Sequence, residues 1–276
     1  MPKHRLSKKN RYIALAATGA VVVAGAGVAA QTSVAAPAWP AQKTYTGRAF
    51  DTCAAPSLTA MRAWKKNAYY GGVAVYVGGR NRGCAQPNLT RSWVKSVDAL
   101  GWRIIPLYVG AQPPCQKSGN RERFTAANAA SVGVGNANDA VARASALGMG
   151  PGSPIYLNME SYDVTDKACN DATLTYVRSF TRTLRAKTYR AGLYGFSSSS
   201  AKAVATARDR TDLPGNLWYA LWNGRETTTG DWPWDPKLYT GHSRGHQYTA
   251  NSRETRRGHT ITVDRNAWDA PVALVG

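Results

Sequence analysis

Strand-like and helix-like segments alternate along most of this sequence, and that order limits the fold more than any other feature. Segments with the composition of β-strands occupy residues 49–51, 73–78, 104–109, 155–162, 191–196, 217–223, 246–249 and 260–266. Helical patterns lie between several of them, at residues 58–70, 89–100, 138–147 and 172–187. Such alternation is typical of a parallel sheet with helices packed against it. We therefore predict the α/β class and a (β/α)8 TIM-type barrel, irregular around strands 6 and 7, where Trp, Gly and Pro replace helix signals.

The first 36 residues differ in composition from the rest of the chain. Five basic residues between positions 3 and 11 precede an apolar stretch at residues 12–30, and Val34-Ala35-Ala36 resembles a cleavage site. This order is typical of a secretory signal peptide. An uncleaved membrane anchor is the alternative, because the apolar stretch approaches the length that spans a bilayer. We expect a signal peptide at residues 1–36, one barrel domain at residues 37–276, and a secreted protein that is extracellular or associated with the cell wall.

The domain that remains is strongly basic. The chain carries a formal net charge of +19, and because residues 1–36 hold five cations and no anions, residues 37–276 carry +14. A charge of this size favours anionic partners. Export argues against nucleic acid, so anionic polymers of the bacterial wall are the expected partners. The alternative is a basic surface that only keeps the protein soluble. We expect a monomer without a cofactor.

The four cysteines predict two disulfide bonds. An even number of cysteines in an exported chain is typical of disulfides, and the absence of a C-x-x-C pair argues against a zinc site. Each cysteine follows one of the first four predicted strands, so all four are expected at the same end of the barrel. Since neighbouring loops lie closest together, we predict the pairs Cys53–Cys84 and Cys115–Cys169 among the three possible connectivities.

Two other motifs do not indicate chemistry. The segment 241–245 matches G-x-S-x-G, but a nucleophile elbow needs a strand before the serine and a helix after it. Here a short polar stretch precedes Ser243 and a strand-like segment follows, so we interpret the segment as a loop. The histidines lack the spacing of metal ligands on a common helix, and we expect no metal site.

Alternation within the fourth predicted strand places an acid inside the barrel. Successive strand residues point to opposite faces. One face of residues 155–162 is aliphatic and suits packing on helices, whereas the other carries Tyr156, Asn158, Glu160 and Tyr162. Glu160 is therefore expected to point inward near the carboxyl end of its strand, which is where barrel enzymes have their active sites.

The same reasoning predicts a ring of inward side chains from the other strands. Its members are Asp51, Tyr76, Tyr108, Tyr194, Trp222, Gln247 and Asp264. Buried charges need partners, so several carboxylates are a costly way to fill a core. Aromatic rings beside carboxylates suit a sugar, because the rings stack on its apolar face while polar groups bind its hydroxyls. A polar barrel interior without a function is the alternative.

Several segments resemble one known family in the same order along the chain. They are residues 50–57, beginning Phe50-Asp51-Thr52-Cys53, and residues 76–79, 154–162, 192–194, 217–224, 246–248 and 263–266. In these segments the sequence resembles the exported glycoside-hydrolase-like domain of unknown function from actinobacteria. That domain is distantly similar to the family 25 lysozymes, which are secreted barrels that cut the glycan chain of peptidoglycan.

The resemblance implies roles for three acids. By position, Asp51 resembles the first-strand Asp of the lysozymes, Glu160 their catalytic Glu, and Asp264 their last-strand Asp. Asn158 stands where the lysozymes have an acid, and an amide cannot act as a base. The expected function is hydrolysis of a glycosidic bond in a cell-wall or environmental polysaccharide, with Glu160 as general acid and Asp51 or Asp264 as its partner.

The remaining inward residues are expected to bind the sugar. They are Tyr76, Tyr108, Asn158, Tyr162, Tyr194, Trp222 and Gln247. The alternative function is a non-catalytic carbohydrate- or wall-binding protein that keeps the cleft only as a sugar site. Fold does not establish activity, so both classes stay open at this point.

Overall fold

A computed structural model describes residues 39–117, 119 and 122–276. Residues Trp39–Gly276 form one compact unit. No helix in these ranges is both long enough and apolar enough to cross a membrane. The predicted signal peptide lies outside the described residues.

Eight strands close into a barrel in chain order, which confirms the predicted fold class. They are β1 (Thr44–Asp51), β2 (Gly72–Gly78), β3 (Arg103–Tyr108), β4 (Pro154–Met159), β5 (Arg190–Phe196), β6 (Asn216–Ala220), β7 (Arg244–Arg256) and β8 (His259–Pro271). Strands β1 to β7 run parallel to one another. The carboxyl ends of these seven strands therefore lie at one end of the barrel.

Among the described residues, five helices follow strands β1 to β5 along the chain. They are α1 (Leu58–Lys65), α2 (Arg91–Ala99), α3 (Ala129–Ala146), α4 (Lys167–Ala186) and α5 (Ser200–Ala205). Three of them start at a capping side chain that accepts a backbone N–H three residues on: Ser57 from Ala60, Thr90 from Trp93, and Asp166 from Cys169. These caps fix where each chain segment turns away from the barrel mouth.

The connections around β6 and β7 are irregular, as predicted. Within the described residues, no helix follows α5. Instead, the segment between β6 and β7 packs Trp232 and Trp234 edge-on against Tyr219 of β6, with ring centroids 5.3 and 5.7 Å apart. Arg244 lies over the Trp232 ring at 4.0 Å. Aromatic side chains thus cover the outer face where a helix would otherwise pack.

The prediction of a fully parallel sheet is wrong for the last strand. β8 runs antiparallel to both β7 and β1. Arg256 and His259 are paired, and Arg257 and Gly258 between them have φ of 49° and 81°. Two consecutive residues with positive φ form the tight turn that suits a two-residue hairpin. Because a hairpin joins β7 directly to β8, there is no crossover helix and β8 must reverse direction.

Aromatic rings fill the interior of the barrel below the carboxyl ends of the parallel strands. Trp268 lies edge-on to Tyr156 and to Trp218, with centroids 5.2 Å apart in both pairs. Gly245 faces these rings, and a Cβ there would come within 2.6 Å of Trp268. A larger residue at Gly245 would therefore force the rings apart. This packed layer separates the two ends of the barrel, so a side chain above it opens only toward the carboxyl ends of the parallel strands.

Candidate active site

Seven of the predicted residues come together inside the barrel mouth: Asp51, Tyr76, Asn158, Glu160, Tyr194, Gln247 and Asp264. Asp51 is the last residue of β1, and Glu160 follows β4 by one position. Tyr76 and Tyr194 belong to the interior aromatic layer. Asp264 lies near the middle of β8, and because β8 is antiparallel its Cα pairs with that of Asp51. The reversed strand therefore delivers an acid to the same end as the others.

Amide side chains hold Asp51 in place. Its Oδ2 accepts hydrogen bonds from Gln247 Nε2 at 3.0 Å and from Asn266 Nδ2 at 2.8 Å. Gln247 Oε1 in turn accepts from Tyr194 OH at 2.8 Å and from Trp222 Nε1 at 2.9 Å. One connected network thus orients the buried acid, a tyrosine and the rim tryptophan.

Asp51 and Asp264 form a hydrogen-bonded pair of carboxyl groups, and the pKa of each is raised. Asp51 is only 2% exposed. Burial raises the pKa of Asp51, and the adjacent charge of Asp264 raises it further. Burial also raises the pKa of Asp264, whose Oδ1 accepts from Asn251 N at 2.6 Å. The two carboxyl groups are hydrogen-bonded to each other, so Asp51 keeps the proton and Asp264 accepts it.

Glu160 is half-buried and is oriented by two amides. Its Oε1 accepts from Asn158 Nδ2 at 2.9 Å, and its backbone N donates to Gln112 Oε1 at 2.8 Å. Gln112 also donates from Nε2 to the carbonyls of Gly110 and Asn158, at 3.0 and 3.1 Å. Gln112 therefore joins the ends of β3 and β4 and fixes the backbone that carries Glu160.

Two tyrosines lie close enough to all three acids for the acids to affect their pKa values. The pKa values of Tyr76 and Tyr194 are raised well above the usual tyrosine value, first by burial and then by the negative charge of the surrounding acids, to which the Asp51–Asp264 pair and Glu160 contribute. Groups that interact with the same buried tyrosines must lie around one space. The three carboxyl groups predicted from the sequence are thus brought together.

Two adjoining cavities form a cleft among these side chains. One, of about 200 Å³, is lined by Asn158 and Glu160, and the other, of about 240 Å³, by Asp51 and Asp264. Tyr76 and Cys53 line both, so the two cavities meet at Tyr76. A third cavity, of about 510 Å³, shares Gly83 with the first and is bordered by Arg80 and Arg82. One shoulder of the cleft is therefore basic.

Trp222 lies at the rim rather than inside the barrel. β6 ends at Ala220, so Trp222 is beyond the strand and its side chain is 55% exposed. Its ring stands edge-on to Phe196 at 5.3 Å, and its Nε1 is held by Gln247. A fixed and exposed indole ring at the mouth offers a flat apolar surface.

Two tyrosines predicted to face the interior point to the helices instead. Tyr108 OH donates to Asp139 Oδ2 of α3 at 3.0 Å. Tyr162 OH donates to Asn170 Oδ1 of α4 at 2.8 Å. Both belong to the helix-side core, where they stabilise the packing of α3 and α4 on the barrel.

The physical reasons differ for the two tyrosines. β3 has apolar residues on both faces, and its interior positions are Ile105 and Leu107. A shift of one residue in the alternation therefore exchanges the faces without any visible polar signal. β4 ends at Met159, so the alternation that places Asn158 correctly does not continue as far as Tyr162.

The predicted disulfide pairing is confirmed. Cys53 is bonded to Cys84, and Cys115 to Cys169. The first bond joins the loops that follow β1 and β2, and the second joins the loop after β3 to the first turn of α4, which follows β4, at the end of the barrel where the acids lie. Because Cys53 lines both cavities of the cleft, its bond fixes one wall of the cleft.

Three contributors to the site were not predicted from the sequence. Asn266 shares its strand face with Asp264, so the same alternation would have found it. Gln112 is a polar residue just past the end of β3, a position that favours function in a barrel. Asn251 binds through its backbone, and no side-chain signal marks it.

The arrangement suits proton transfer and sugar binding. Across the described ranges, no group of three or more His, Cys, Asp and Glu is placed to hold a metal ion. The site instead combines carboxyl groups, amide donors and aromatic rings. Carboxyl groups can donate or accept a proton, amides bind hydroxyls, and rings stack on the apolar face of a sugar.

Solved structures with the same fold include proteins from three bacteria. An uncharacterized B. stearothermophilus protein has a TM-score of 0.55 and 19% identity, over 81% of this chain and 96% of that one. The spore cortex lytic enzyme SleM of Clostridium perfringens has a TM-score of 0.54 and 14% identity, over 82% and 67%. The modular autolysin LytC of Streptococcus pneumoniae has a TM-score of 0.52 and 19% identity, over 81% and 47%. At these identities the likeness concerns the fold.

No curated protein matches the chain. The match of a family model is more specific, because it is made by sequence and covers most of the chain, from the middle of α1 to near the end of β8. The model describes the Rv2525c-like, glycoside hydrolase-like domain and matches residues 62–268, so this chain belongs to the Rv2525c-like family of glycoside hydrolase-like domains.

Proposed function

We propose that this protein is a secreted glycoside hydrolase that acts on a cell-wall or environmental polysaccharide, with peptidoglycan as the first candidate. The observation that carries the proposal is the common cleft of Glu160, Asp51 and Asp264, with Tyr76 between its two cavities. Family membership supports the reaction class. The spore cortex lytic enzyme and the autolysin on the same fold support a wall glycan as substrate.

Glu160 is the proposed general acid. Glycosidases use one carboxyl group to protonate the leaving oxygen. A second carboxylate stabilises the positive charge that develops on the sugar ring or activates the attacking water. Glu160 points into the cleft, and Asn158 Nδ2 binds one of its oxygens at 2.9 Å. The other oxygen is not tied by that contact and faces the substrate in the proposal. Asn158 thus orients the acid where the lysozymes have a second carboxylate.

Asp264 is the proposed second carboxylate. Because Asp51 keeps the shared proton, Asp264 carries the negative charge of the pair, and the hydrogen bond from Asn251 N stabilises that charge. Asp264 stabilises positive charge at the sugar or positions the attacking water. Asp51 acts through Asp264, as the buried donor that holds it in place.

The sugar rings are proposed to stack at the rim and to bind inside. Trp222 offers the exposed ring, while Tyr76, Tyr194 and Gln247 offer hydroxyl and amide groups further in. An aromatic platform above polar donors is a common arrangement in ligand pockets. Arg80 and Arg82 on the basic shoulder suit an acidic substituent of the glycan.

A non-catalytic sugar-binding protein is the second candidate. The observation that favours it is the pairing of Glu160 with an amide, Asn158, while one of the two remaining acids is kept neutral. Such a cleft retains its sugar-binding groups, but only one member of the Asp51–Asp264 pair is ionised and able to stabilise positive charge at the sugar. In that case the protein binds wall glycan without cutting it.

Replacement of Glu160 by Gln separates the two functions. Glu160→Gln keeps the shape and most hydrogen bonding but removes the proton donor. For a hydrolase we expect turnover of labelled peptidoglycan to fall by about 10²–10⁴-fold, which is the usual contribution of a general acid. Glycan binding, measured on the same sample, should stay within a few fold, and Tm should barely change.

The matched control is Glu226→Gln. Glu226 is exposed on the outside of the barrel, where it pairs with Arg48 at 2.7 Å. This variant should keep full turnover. Full turnover in Glu160→Gln would show that the catalytic assignment is wrong, whereas wild-type protein that binds glycan with no turnover would favour the second candidate.

A further inference from the structure

A separate cavity lies at the opposite end of the barrel from the cleft. It measures about 290 Å³, and its lining includes Arg190, Asn216 and Ser243. Arg190 begins β5, Asn216 begins β6, and Ser243 immediately precedes β7. These are the amino ends of parallel strands, and the packed layer of Tyr156, Trp218 and Trp268 separates them from the acids. We call this the amino-end cavity.

Arg190 provides a positive charge in this cavity that no acid neutralises. Within the described residues, no carboxylate lies within ion-pair distance of its guanidinium group. Its Nη2 donates to the carbonyl of Pro40 at 3.0 Å, and its Cζ lies 5.4 Å from the centre of the Trp39 ring. The Nε atom is buried, and it has no hydrogen-bond partner among the described residues. A buried donor of this kind is costly unless an acceptor reaches it.

A second arginine adds to the positive charge. Arg185 also lines the cavity. Its Nη1 lies 3.6 Å from Asp212 Oδ1, but the other oxygen of Asp212 is bound by Arg182 at 2.8 Å. One carboxylate therefore faces two guanidinium groups. Together with Arg190, this leaves an excess of positive charge beside the cavity.

The remaining lining suits an organic group attached to an anion. Trp39 is 48% exposed and presents its ring to the cavity. Asn216 and Ser243 add an amide and a hydroxyl at the wall. A flat apolar ring, hydroxyl-binding groups and two guanidinium groups within one cavity match a phosphorylated sugar or polyol better than a bare ion.

We propose that the amino-end cavity binds a phosphate ester of a sugar or polyol. Guanidinium groups bind phosphate through paired N–H donors, and a phosphate has enough oxygens to meet Arg185 and Arg190 at once. A carboxylate has only two oxygens and matches one fork. The Trp39 ring packs against the attached carbon chain or ring. This site is independent of the function proposed for the cleft.

The ester can come from two sources with the same chemistry. It can be a small phosphorylated sugar or polyol, or one unit of a phosphate-containing wall polymer. In the second case the two ends of the barrel bind two different wall components at once, which holds the cleft near its glycan.

Calorimetric titration of the secreted protein tests the proposal. The probes are inorganic phosphate, glycerol 3-phosphate and poly(glycerol phosphate), in buffer with about 0.1 M salt. We expect glycerol 3-phosphate to bind more tightly than inorganic phosphate, because only the ester contacts Trp39. Tighter binding of the polymer than of glycerol 3-phosphate, per phosphate, would identify the polymer as the source.

Arg190→Gln should weaken binding of glycerol 3-phosphate by at least about tenfold, since a charged hydrogen-bond donor is lost. Arg253→Gln is the matched control, because Arg253 is an exposed arginine on the β7–β8 hairpin. It removes the same charge and should change binding less than twofold. Glu160→Gln should also leave it unchanged, because Glu160 lies at the other end.

Three results would overturn the proposal. They are the absence of binding of all three probes, equal losses in Arg190→Gln and Arg253→Gln, and loss of binding in Glu160→Gln. If Arg190→Gln does not fold, Trp39→Ala and Arg185→Gln carry the test. Arg185→Gln should weaken both small probes, whereas Trp39→Ala should weaken glycerol 3-phosphate and leave inorganic phosphate unchanged, and the absence of both effects would equally contradict the proposal.

Discussion

At the scale of single residues, burial determines how the Asp51–Asp264 pair is protonated. Two ionised carboxylates within hydrogen-bonding contact repel each other, and the buried one cannot be solvated by water. The lowest free energy is reached when Asp51 keeps its proton and donates it toward Asp264. The amides of Gln247 and Asn266 meet the other oxygen of Asp51. The pair therefore titrates as a unit.

The raised pKa of Asp51 predicts how stability depends on pH. The folded state binds this proton more firmly than the unfolded state, where the pKa is about 3.9. The resulting stability is fully present below the unfolded pKa and is lost as pH rises through the raised pKa of Asp51. Asp51→Asn removes this proton, so we expect its Tm to fall less than that of the wild type as pH rises above about 4.

Thermal melting between about pH 4 and pH 9 measures this difference. For a domain of this size, each kcal/mol corresponds to about 2–4 °C in Tm. Asp171→Asn is the control, because Asp171 is exposed on α4 beside Lys167, and it should reproduce the wild-type slope. Parallel slopes for the wild type and Asp51→Asn would show that Asp51 is ionised in the folded protein.

Alternation predicted most of the inward residues because the strands that carry them have one polar face. Asp51, Asn158 and Gln247 stand out against apolar neighbours, so their direction could be inferred. Tyr108 could not, because both faces of β3 are apolar and the helix side contains Asp139 as a partner for the hydroxyl. Its direction is decided by a contact with α3 that only the folded chain reveals.

At the scale of elements, a buried acid ties the outer part of the β7–β8 hairpin to Tyr70, just before β2. Glu254 accepts from Tyr70 OH at 2.8 Å and from Arg265 Nε at 2.7 Å, and Arg256 pairs with its other oxygen. Burial raises the pKa of Glu254, but these hydrogen bonds outweigh it and leave the pKa below the usual value. The hairpin also carries Gln247, Asn251 and Asp264, so this anchor supports the site from a distance.

Glu254→Gln should therefore destabilise the whole domain. It leaves two guanidinium groups without their charge partner, and we expect a loss of about 1–3 kcal/mol in the free energy of unfolding, measured by denaturant titration. Glu226→Gln removes an exposed ion pair with Arg48, where a loss of about 0–1 kcal/mol is expected. Equal losses in the two variants would mean that Glu254 does not anchor the hairpin.

The order of elements followed from the sequence, but the direction of the last strand did not. The predicted segments lay within three residues of β2 to β6 at both ends, because buried parallel strands are short apolar runs. β1, β7 and β8 extend five to seven residues beyond the predicted segments at one end. The hairpin signal was present in Arg257-Gly258, yet glycine after a long polar residue also fits an ordinary loop. What decides between them is the pairing of Arg256 with His259, a tertiary contact.

At the scale of the whole molecule, two features favour an extracellular setting. The two disulfides require an oxidising compartment such as the outside of a cell. The net charge of +14 on residues 37–276 favours anionic partners of any kind, and the proposal that these are wall polymers is tested below. Composition alone predicted both features, because they depend on counts of residues and hardly on the fold.

Wall binding through surface charge and wall binding in the cleft should depend differently on salt concentration. Exposed charges are screened over about 10 Å at 0.1 M salt and over about 3 Å at 1 M salt. If the +14 charge dominates, retention of the protein on purified anionic wall should fall steeply between these salt concentrations. Contacts inside the cleft are shielded from salt by the barrel and should persist. Sedimentation of wall-bound protein over a salt series measures the balance.

Glu160→Gln makes the measurement diagnostic, because under the proposed function it prevents cleavage of the wall without removing surface cations. Retention of the variant on the wall should fall with salt along the same curve as that of the wild type. Protein that remains bound at high salt should be displaced by soluble glycan fragments. Retention that does not change with salt would show that the cleft alone determines binding. The basic surface would then serve solubility only. The protein would bind the wall only where glycan enters the cleft, without long-range attraction by its surface charge.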